Sequence, residues 1–377
     1  MNPVRKPRII RRGFSGSTHT FGRHSKEEQP LGVQSHAVNS VEQKQGYPPS
    51  HHRCGEADKM NNMPKPLRIA AIGELLWDLL PDGPQLGGAP ANFAAILAQM
   101  FPCNAATPDG EVFLVSCVGD DPLGIEAHAR LAAHGVRPDF IAVDRSRPTG
   151  TVEVWLDPQG SAHYRISSPV AWDAVPETPQ LGTLAPTLDA VCFGTLAQRF
   201  PRTRATLRAL VAATRPGCLR VFDVNLREPD WTEEAILWGC EHATIFKMNH
   251  EEVAHIAKAI GADEQETPLR VAHSLLNQFP LQLVAITRGC HGSLLATRDA
   301  VNEHPGIPTH MVDSIGAGDC FTAALTYFSL LHRPLSIVAE AANRWGAWGA
   351  SQRGGMPFLD AASRSYLQTA IEPSENP

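Results

Sequence analysis

Near its carboxyl end the chain reads Val312-Asp-Ser-Ile-Gly-Ala-Gly-Asp-Cys-Phe-Thr-Ala-Ala-Leu325. A turn made of Gly316, Ala317 and Gly318 feeds an apolar helical pattern that opens at Asp319. Small residues let a backbone approach a ligand closely, and the unpaired N–H groups of a helix start form an anion site reinforced by the helix dipole. That arrangement suits a phosphoryl group in transfer. A carboxylate beside it suits removal of a proton from an attacking hydroxyl, the role the pattern gives Asp319. The same residues also read as a Gly-rich helix entry with an Asp cap. Asp313 six residues upstream and the Ala/Phe/Leu packing downstream favour the chemical reading.

A second group lies toward the amino end. Gly87-Gly-Ala-Pro-Ala-Asn-Phe-Ala-Ala95 sets two glycines before a helix with Pro90 in its first turn. Gly87 and Gly88 permit backbone contact with a ligand. Asn92 offers two donors and an acceptor, which suits vicinal hydroxyls; a plain helix start after a turn is the alternative. Three more stretches follow strand patterns: Phe222-Asp-Val-Asn-Leu-Arg227, Lys247-Met-Asn-His-Glu-Glu252 and Thr287-Arg-Gly-Cys-His-Gly292. Open α/β sheets bind ligands at such strand ends. Asn225 and Arg227 read equally as strand-end caps, and Asn249 with Glu252, taken alone, read as a capping box.

The elements that must position these residues alternate. Strand patterns run over Arg68–Ile72, Val112–Cys117, Ala190–Gly194, Leu219–Val224, Thr244–Lys247 and Gln282–Thr287. Helical patterns lie between them over Ala91–Met100, Leu123–His134, Thr203–Ala213, Glu251–Ile260 and Pro268–Phe279. Alternation of this kind predicts a mostly parallel sheet covered on both faces, a three-layer α/β/α fold. Two segments break the rhythm: Thr151–Leu156 and Ala162–Ile166 flank Asp157-Pro-Gln-Gly160 as a hairpin, and Leu76–Leu86 is interrupted by Pro81-Asp-Gly83. Without helical neighbours, they predict a small β lid near 76–86 and 151–167.

With those elements in view, Asp313-Ser-Ile-Gly-Ala-Gly-Asp319 resembles the carboxyl-terminal signature of the ribokinase-like (PfkB) carbohydrate kinases, with Ser314 where the family has Thr. Gly73-Glu-Leu-Leu-Trp-Asp78 with the Gly87–Phe93 stretch resembles the family's amino-terminal signature in its fructokinase-like form. The resemblance runs from about Leu67 to Pro357. It implies ATP as co-substrate, Mg2+ as cofactor and a sugar hydroxyl as acceptor. It makes Asp319 the base, with the N–H groups of Gly316, Ala317 and Gly318 as the anion hole, and Asp78, Gly87, Gly88 and Asn92 as sugar-binding residues. Arg165 on the lid hairpin joins that set as a residue reaching toward sugar or phosphate. On the nucleotide side it implies Asn225, Arg227, Lys247, Asn249, Thr287, Gly289, Gly292 and Asn343. Asn249 and Glu252 govern the metal through water, in keeping with magnesium's retention of its hydration shell. Some relatives bind a monovalent cation such as K+ beside the loop of Asp313 and Ile315, and relatives pair lids into homodimers. Gly119-Asp-Asp-Pro-Leu-Gly124 matches a family turn of structural purpose. Fructose is the expected sugar, with ribose, 2-keto-3-deoxygluconate and nucleosides as alternatives and a non-catalytic sugar sensor as the alternative of another class.

Composition narrows the classes from the other side. At 377 residues and 43% apolar, the chain can bury a large core. Its net charge of −6 and lack of a dominant basic patch point away from nucleic acid, and no apolar run approaches a membrane span. Eight cysteines without a C-x-x-C pair predict reduced thiols and a cytoplasmic protein. No Walker A, G-x-G-x-x-G, H-E-x-x-H or G-x-S-x-G motif occurs. Residues 1–66 differ from the rest: eleven Lys and Arg against five Asp and Glu give +6, leaving −12 elsewhere. Such a segment cannot bury enough apolar surface to offset its ordering and is expected to be disordered. A start read too early, with Met60 or Met63 as the true opening, and a transit peptide are the competing expectations. A twin-arginine signal at Arg11-Arg12 fails for want of a following apolar stretch. The expected domain runs 67–365, with a tail at 366–377.

Overall fold

The computed structural model describes residues 65–80, 83–101, 110–156 and 162–369. The expectations for residues 1–64, the Pro81 and Asp157–Gly160 turns and the last residues of the tail lie outside the described residues. Fourteen strands fall in this range. They are β1 (Leu67–Ile72), β2 (Leu76–Leu80), β3 (Gly83–Gly87), β4 (Gly110–Gly119), β5 (Val136–Arg137), β6 (Ile141–Asp144) and β7 (Gly150–Leu156). After them come β8 (Ala162–Ile166), β9 (Ala190–Phe193), β10 (Leu219–Asp223), β11 (Ile245–Asn249), β12 (Leu283–Thr287), β13 (Ser293–Ala296) and β14 (Val301–His304).

Ten strands form the main sheet in the order β14-β13-β12-β11-β10-β9-β1-β4-β5, with β6 beside β4. Every pairing from β12 across to β4 is parallel; only β13 and β14, at one edge, are antiparallel. A parallel sheet must be covered on both faces, and the alternation of side chains along each strand divides the core accordingly. In β1, Ile69 and Ala71 enter one apolar cluster and Ala70 and Ile72 the other. The first face is covered by α1 (Ala89–Met100) and α2 (Pro122–Ala133); the second takes α3 (Pro179–Leu184), α4 (Pro201–Ala212), α5 (Glu233–His242), α6 (Val253–Ala259) and α7 (Pro268–Gln278). The first face is completed by α8 (Ala317–Leu330), α9 (Leu335–Ala350) and α10 (Ala361–Thr369). The predicted three layers are therefore present. Helix α10 runs across the boundary expected at residue 365.

Caps fix where the helices begin. Thr178, Thr232 and Thr267 each accept a backbone N–H with the side-chain oxygen, and Pro179, Pro201 and Pro268 supply helix-ready first turns. In the 119–124 turn the Asp121 carboxylate caps α2 through Gly124 N–H at 2.8 Å. It also accepts the Thr149 N–H at 2.8 Å, tying the helix start to the segment that enters the lid.

The remaining four strands form a separate sheet in the order β3-β2-β7-β8. β2–β3 and β7–β8 are antiparallel, as hairpins require, and the inner pair β2–β7 is parallel. This sheet is the lid. Chain reversal sets the site: β1 is flanked by β9 and β4, so the chain leaves the β1–β9 boundary in opposite directions, and a crevice opens at the carboxyl ends of those strands.

Gly239, inside α5, tests packing against propensity. A Cβ there would lie 2.2 Å from the Phe222 ring. Gly239→Ala should therefore destabilise the fold by about 1–3 kcal/mol through overpacking, against a gain of about 1 kcal/mol from helix propensity alone. Chemical denaturation of the two proteins separates the outcomes by sign.

Candidate active site

Asp319 sits in the first turn of α8, partly exposed, where that turn's N–H groups have no intrahelical acceptors. Gly316 caps the helix in the left-handed region at φ 75°, and a Cβ on it would lie 2.5 Å from Gly355 Cα. Conformation and space both demand glycine. Asp313 holds the loop in place: one carboxylate oxygen accepts Ile315 N–H at 2.9 Å and the other Gly354 N–H at 3.1 Å. The two residues expected beside a monovalent cation thus brace the loop against the Gly354–Gly355 turn.

Behind this turn lies a buried charge network. Lys247 donates to Asp223 at 3.0 Å, and Thr322 Oγ1 donates to the other Asp223 oxygen at 2.8 Å. Burial favours the neutral amine of Lys247, but the carboxylates of Asp223, Glu252 and Asp319 outweigh it and raise its pKa. A Cβ at Gly318 would lie 3.3 Å from Lys247 Nζ. The expected nucleotide-side lysine is thus a cation buried beneath the anion turn, reaching it through the protein interior. Asp319 itself is pushed up to about 6, first by desolvation and then by Asp223; Asn92, Lys247 and Arg227 pull the other way.

Asn92 is buried on α1 and donates to Asp319 at 2.7 Å. Its Oδ1 is buried without a partner among the described residues, and a Cβ at Gly355 would collide with the Asn92 amide. The glycines before α1 are required by the protein itself. A Cβ at Gly88, where φ is 105°, would meet the Glu74 carbonyl at 2.4 Å, and one at Gly87 would meet the Asp78 carboxylate at 2.7 Å. Asp78 pairs in register with Gln85 and Val152, and Val152 with Ile166, so these share one face of the lid. Burial pushes Asp78 up to about 6, with Arg227 lowering and Asp313 raising it.

Arg165 departs from expectation. It pairs across the hairpin with Glu153, which pairs with Leu79, so the two-residue period puts it on the lid face opposite Asp78. There it is exposed and ion-paired to Glu153 at 3.5 Å. Asn343 departs too: it is buried, its amide donating to Ser293 Oγ and Ala339 O, both at 2.8 Å.

Other residues expected on the nucleotide side gather at the ends of β10 to β12. Asn225 follows β10 at φ 42°, and the exposed Arg227 bears electrostatically on Glu74, Asp78 and Asp319. Asn249 and Thr287 are register partners at the ends of β11 and β12. Gly289 has open space above it, whereas Gly292 is needed because the chain returns past it, with His304 O 2.0 Å from a Cβ position. Asn249 Oδ1 accepts Glu251 and Glu252 N–H, and the Glu252 carboxylate accepts Leu226 N–H at 2.7 Å and Asn249 N–H at 2.8 Å. The capping geometry is thus realised. Both Glu252 oxygens are engaged, and among the described residues no group of three His, Cys, Asp or Glu could cage a metal. The donors fit a hydrated Mg2+ held through water and do not fit direct coordination by a protein cage.

A residue not singled out for a role completes the site. Glu74, in the turn after β1, is 4% exposed. With Asp319, Asp223, Asn225 and Thr322 it lines a cleft at the β1–β9 crevice. An acidic residue directly after a strand-ending Gly73 was the available signal.

The model of the pfkB family of carbohydrate kinases matches residues 84–362, well over half the chain. The chain belongs to that family. The kinase is 30% identical over 318 residues to the fructokinase of Klebsiella pneumoniae, covering 79% of this chain and 99% of that protein. It is 28% identical over 313 residues to the fructokinase of Escherichia coli, covering 78% and 96%. Among solved structures, an uncharacterized sugar kinase from Pyrococcus horikoshii in complex with ATP is 28% identical with a TM-score of 0.63, covering 76% and 94%. The fructokinase of Xylella fastidiosa with bound ATP, at 23% identity, TM-score 0.67 and coverage of 80% and 97%, shares the fold.

The raised Asp319 pKa sets a pH dependence. If Asp319 is the proton acceptor, kcat/KM of the kinase should rise with pH through about 6 and level above it, since a base works deprotonated. Asn92 donates to the charged carboxylate and lowers this pKa, so Asn92→Ala should move the acid limb to higher pH. An unmoved limb in the pH–rate profile would separate Asn92 from the base.

Proposed function

We propose that this kinase transfers the γ-phosphoryl group of ATP to a hydroxyl of fructose, with Asp319 as general base. The observation that carries the reading is the Asp319 carboxylate at the head of α8, beside the crevice and hydrogen-bonded to Asn92. The fructokinase names of the two enterobacterial relatives support the sugar. In this reading fructose lies beneath the lid against Asp78 and Asn92. Asp319 takes the hydroxyl proton as the phosphoryl group moves in line, and the N–H groups of Gly316, Ala317 and Gly318 hold the developing charge. The buried Lys247 ammonium adds positive potential from below. Lid closure excludes water and so suppresses hydrolysis of ATP.

Mg2+ held through water by Glu252 and Asn249 would neutralise phosphate oxygens. The loop of Asp313 and Ile315 is the proposed seat of a monovalent cation such as K+, a potassium ion being named in one fructokinase neighbour from Vibrio cholerae. On the nucleotide side, Asn225, Arg227, Asn249, Thr287 and Gly289 stand at the strand ends where ATP would lie. We place the kinase in the cytoplasm, as a homodimer joined through the lid; among the described residues no helix is long and apolar enough to cross a membrane.

The test is ADP release with Mg-ATP across fructose, ribose, glucose, 2-keto-3-deoxygluconate and adenosine, with Asp319→Asn in parallel. Fructose should be preferred, and the variant should lose about 10²-fold or more in kcat while keeping its ATP affinity. Retention of more than about a tenth of kcat would remove Asp319 from the role, and preference for another acceptor would replace fructose.

A further inference from the structure

Glu74 is a buried carboxyl to which neither signature assigns a task. Its surroundings explain its placement better than its presence. Gly73 turns the chain out of β1, with Pro90 filling the space where a Cβ would lie, 2.7 Å from Pro90 Cγ. On the other side Gly88 clears the Glu74 carbonyl. Glu74 is therefore clamped between the strand end and the start of α1, with little freedom left to its backbone. Among the described residues no side-chain hydrogen bond reaches its carboxyl; its own N–H and that of Ala89 are the hydrogen-bond donors that bear on it. The charges that act on it are Asp319 and Arg227. A carboxyl buried to this degree costs free energy unless something satisfies it. Polar groups beside it in the cleft, Asn225, Thr195, Thr322 and Asp319, face the same space.

We infer that Glu74 is a further substrate-contacting residue of the kinase: its carboxyl takes a sugar hydroxyl across the cleft from Asp319 and so decides which hydroxyl meets the base. The inference rests on the sugar-kinase reading. Desolvation carries the Glu74 pKa up to about 7 and that of Asp319 up to about 6, so both carboxyls take up a proton more readily than an exposed one. A protonated carboxyl donates as well as accepts, which matches a hydroxyl.

The test compares Glu74→Ala and Glu74→Gln with wild type on the sugar that wild type prefers, measuring KM for sugar, KM for ATP and kcat. Loss of a buried polar partner to a substrate hydroxyl should raise the sugar KM about 10- to 100-fold in Glu74→Ala, leave the ATP KM within about twofold, and be largely restored in Glu74→Gln, whose amide keeps a donor and an acceptor. A structural role would move both KM values together, or lower thermal stability without splitting them; either result overturns the inference, as does an unchanged sugar KM in Glu74→Ala. If wild type phosphorylates no sugar in the panel, the kinase reading and this inference fall together, an outcome distinct from an active wild type with an indifferent Glu74.

Discussion

A carboxylate and an incoming phosphate repel each other, and the site depends on how that repulsion is offset. Asp319 stands in the first turn of a helix, where the dipole is positive, and Lys247 lies buried beneath the same turn. Asp223 pairs with Lys247 there, with Glu252 and Asp319 adding to the pull on the cation, and Asp223 is held in turn by Thr322 from α8 itself. Asp319, the 316–318 turn and the buried charge beneath them are thus parts of one network that crosses from β10 and β11 to α8. Asp223 also raises the pKa of Asp319, so the group that pairs with the cation makes that carboxylate more basic.

Much of this was legible in the sequence because it is written in local patterns. The parallel strands announce themselves as apolar runs, since both faces are buried, and the helix starts carry Thr, Asp and Pro signals. Polar edge strands were not legible: β14, Val-Asn-Glu-His, has alternating exposure and no apolar run. Helix α5 was missed because Trp and Gly dilute its periodicity, although Thr232 caps it.

At the site, residues that act from within their own segment were legible, and residues whose meaning depends on a distant partner were less so. The 316–319 turn is an example of the first kind. Gly87 and Gly88 belong to the second: their glycine character follows from Asp78 and Glu74, which fold back against them, whereas sequence alone suggested a ligand. Arg165 shows the period-2 limit, since one residue along a strand decides which side of the lid a side chain meets. Asn343 lay on the right helix but faces β13, a matter of helix rotation that a motif position does not fix.

The inner pair of the lid has a consequence for how the molecule is made. β2 and β7 are parallel, joining Leu76 with Gly150 across the segment that builds α1, β4 and α2. Each outer hairpin is local, but the sheet exists only when these remote segments meet, and loop-closure entropy makes such contacts late. The lid sheet therefore leans on the body, whose β1–β4 and β4–β6 pairings bring the chain after Ile72 and the chain after Asp144 to the same end of the main sheet. Both lid segments also precede Asp319 in the chain, so the cover is synthesised ahead of the turn that it covers.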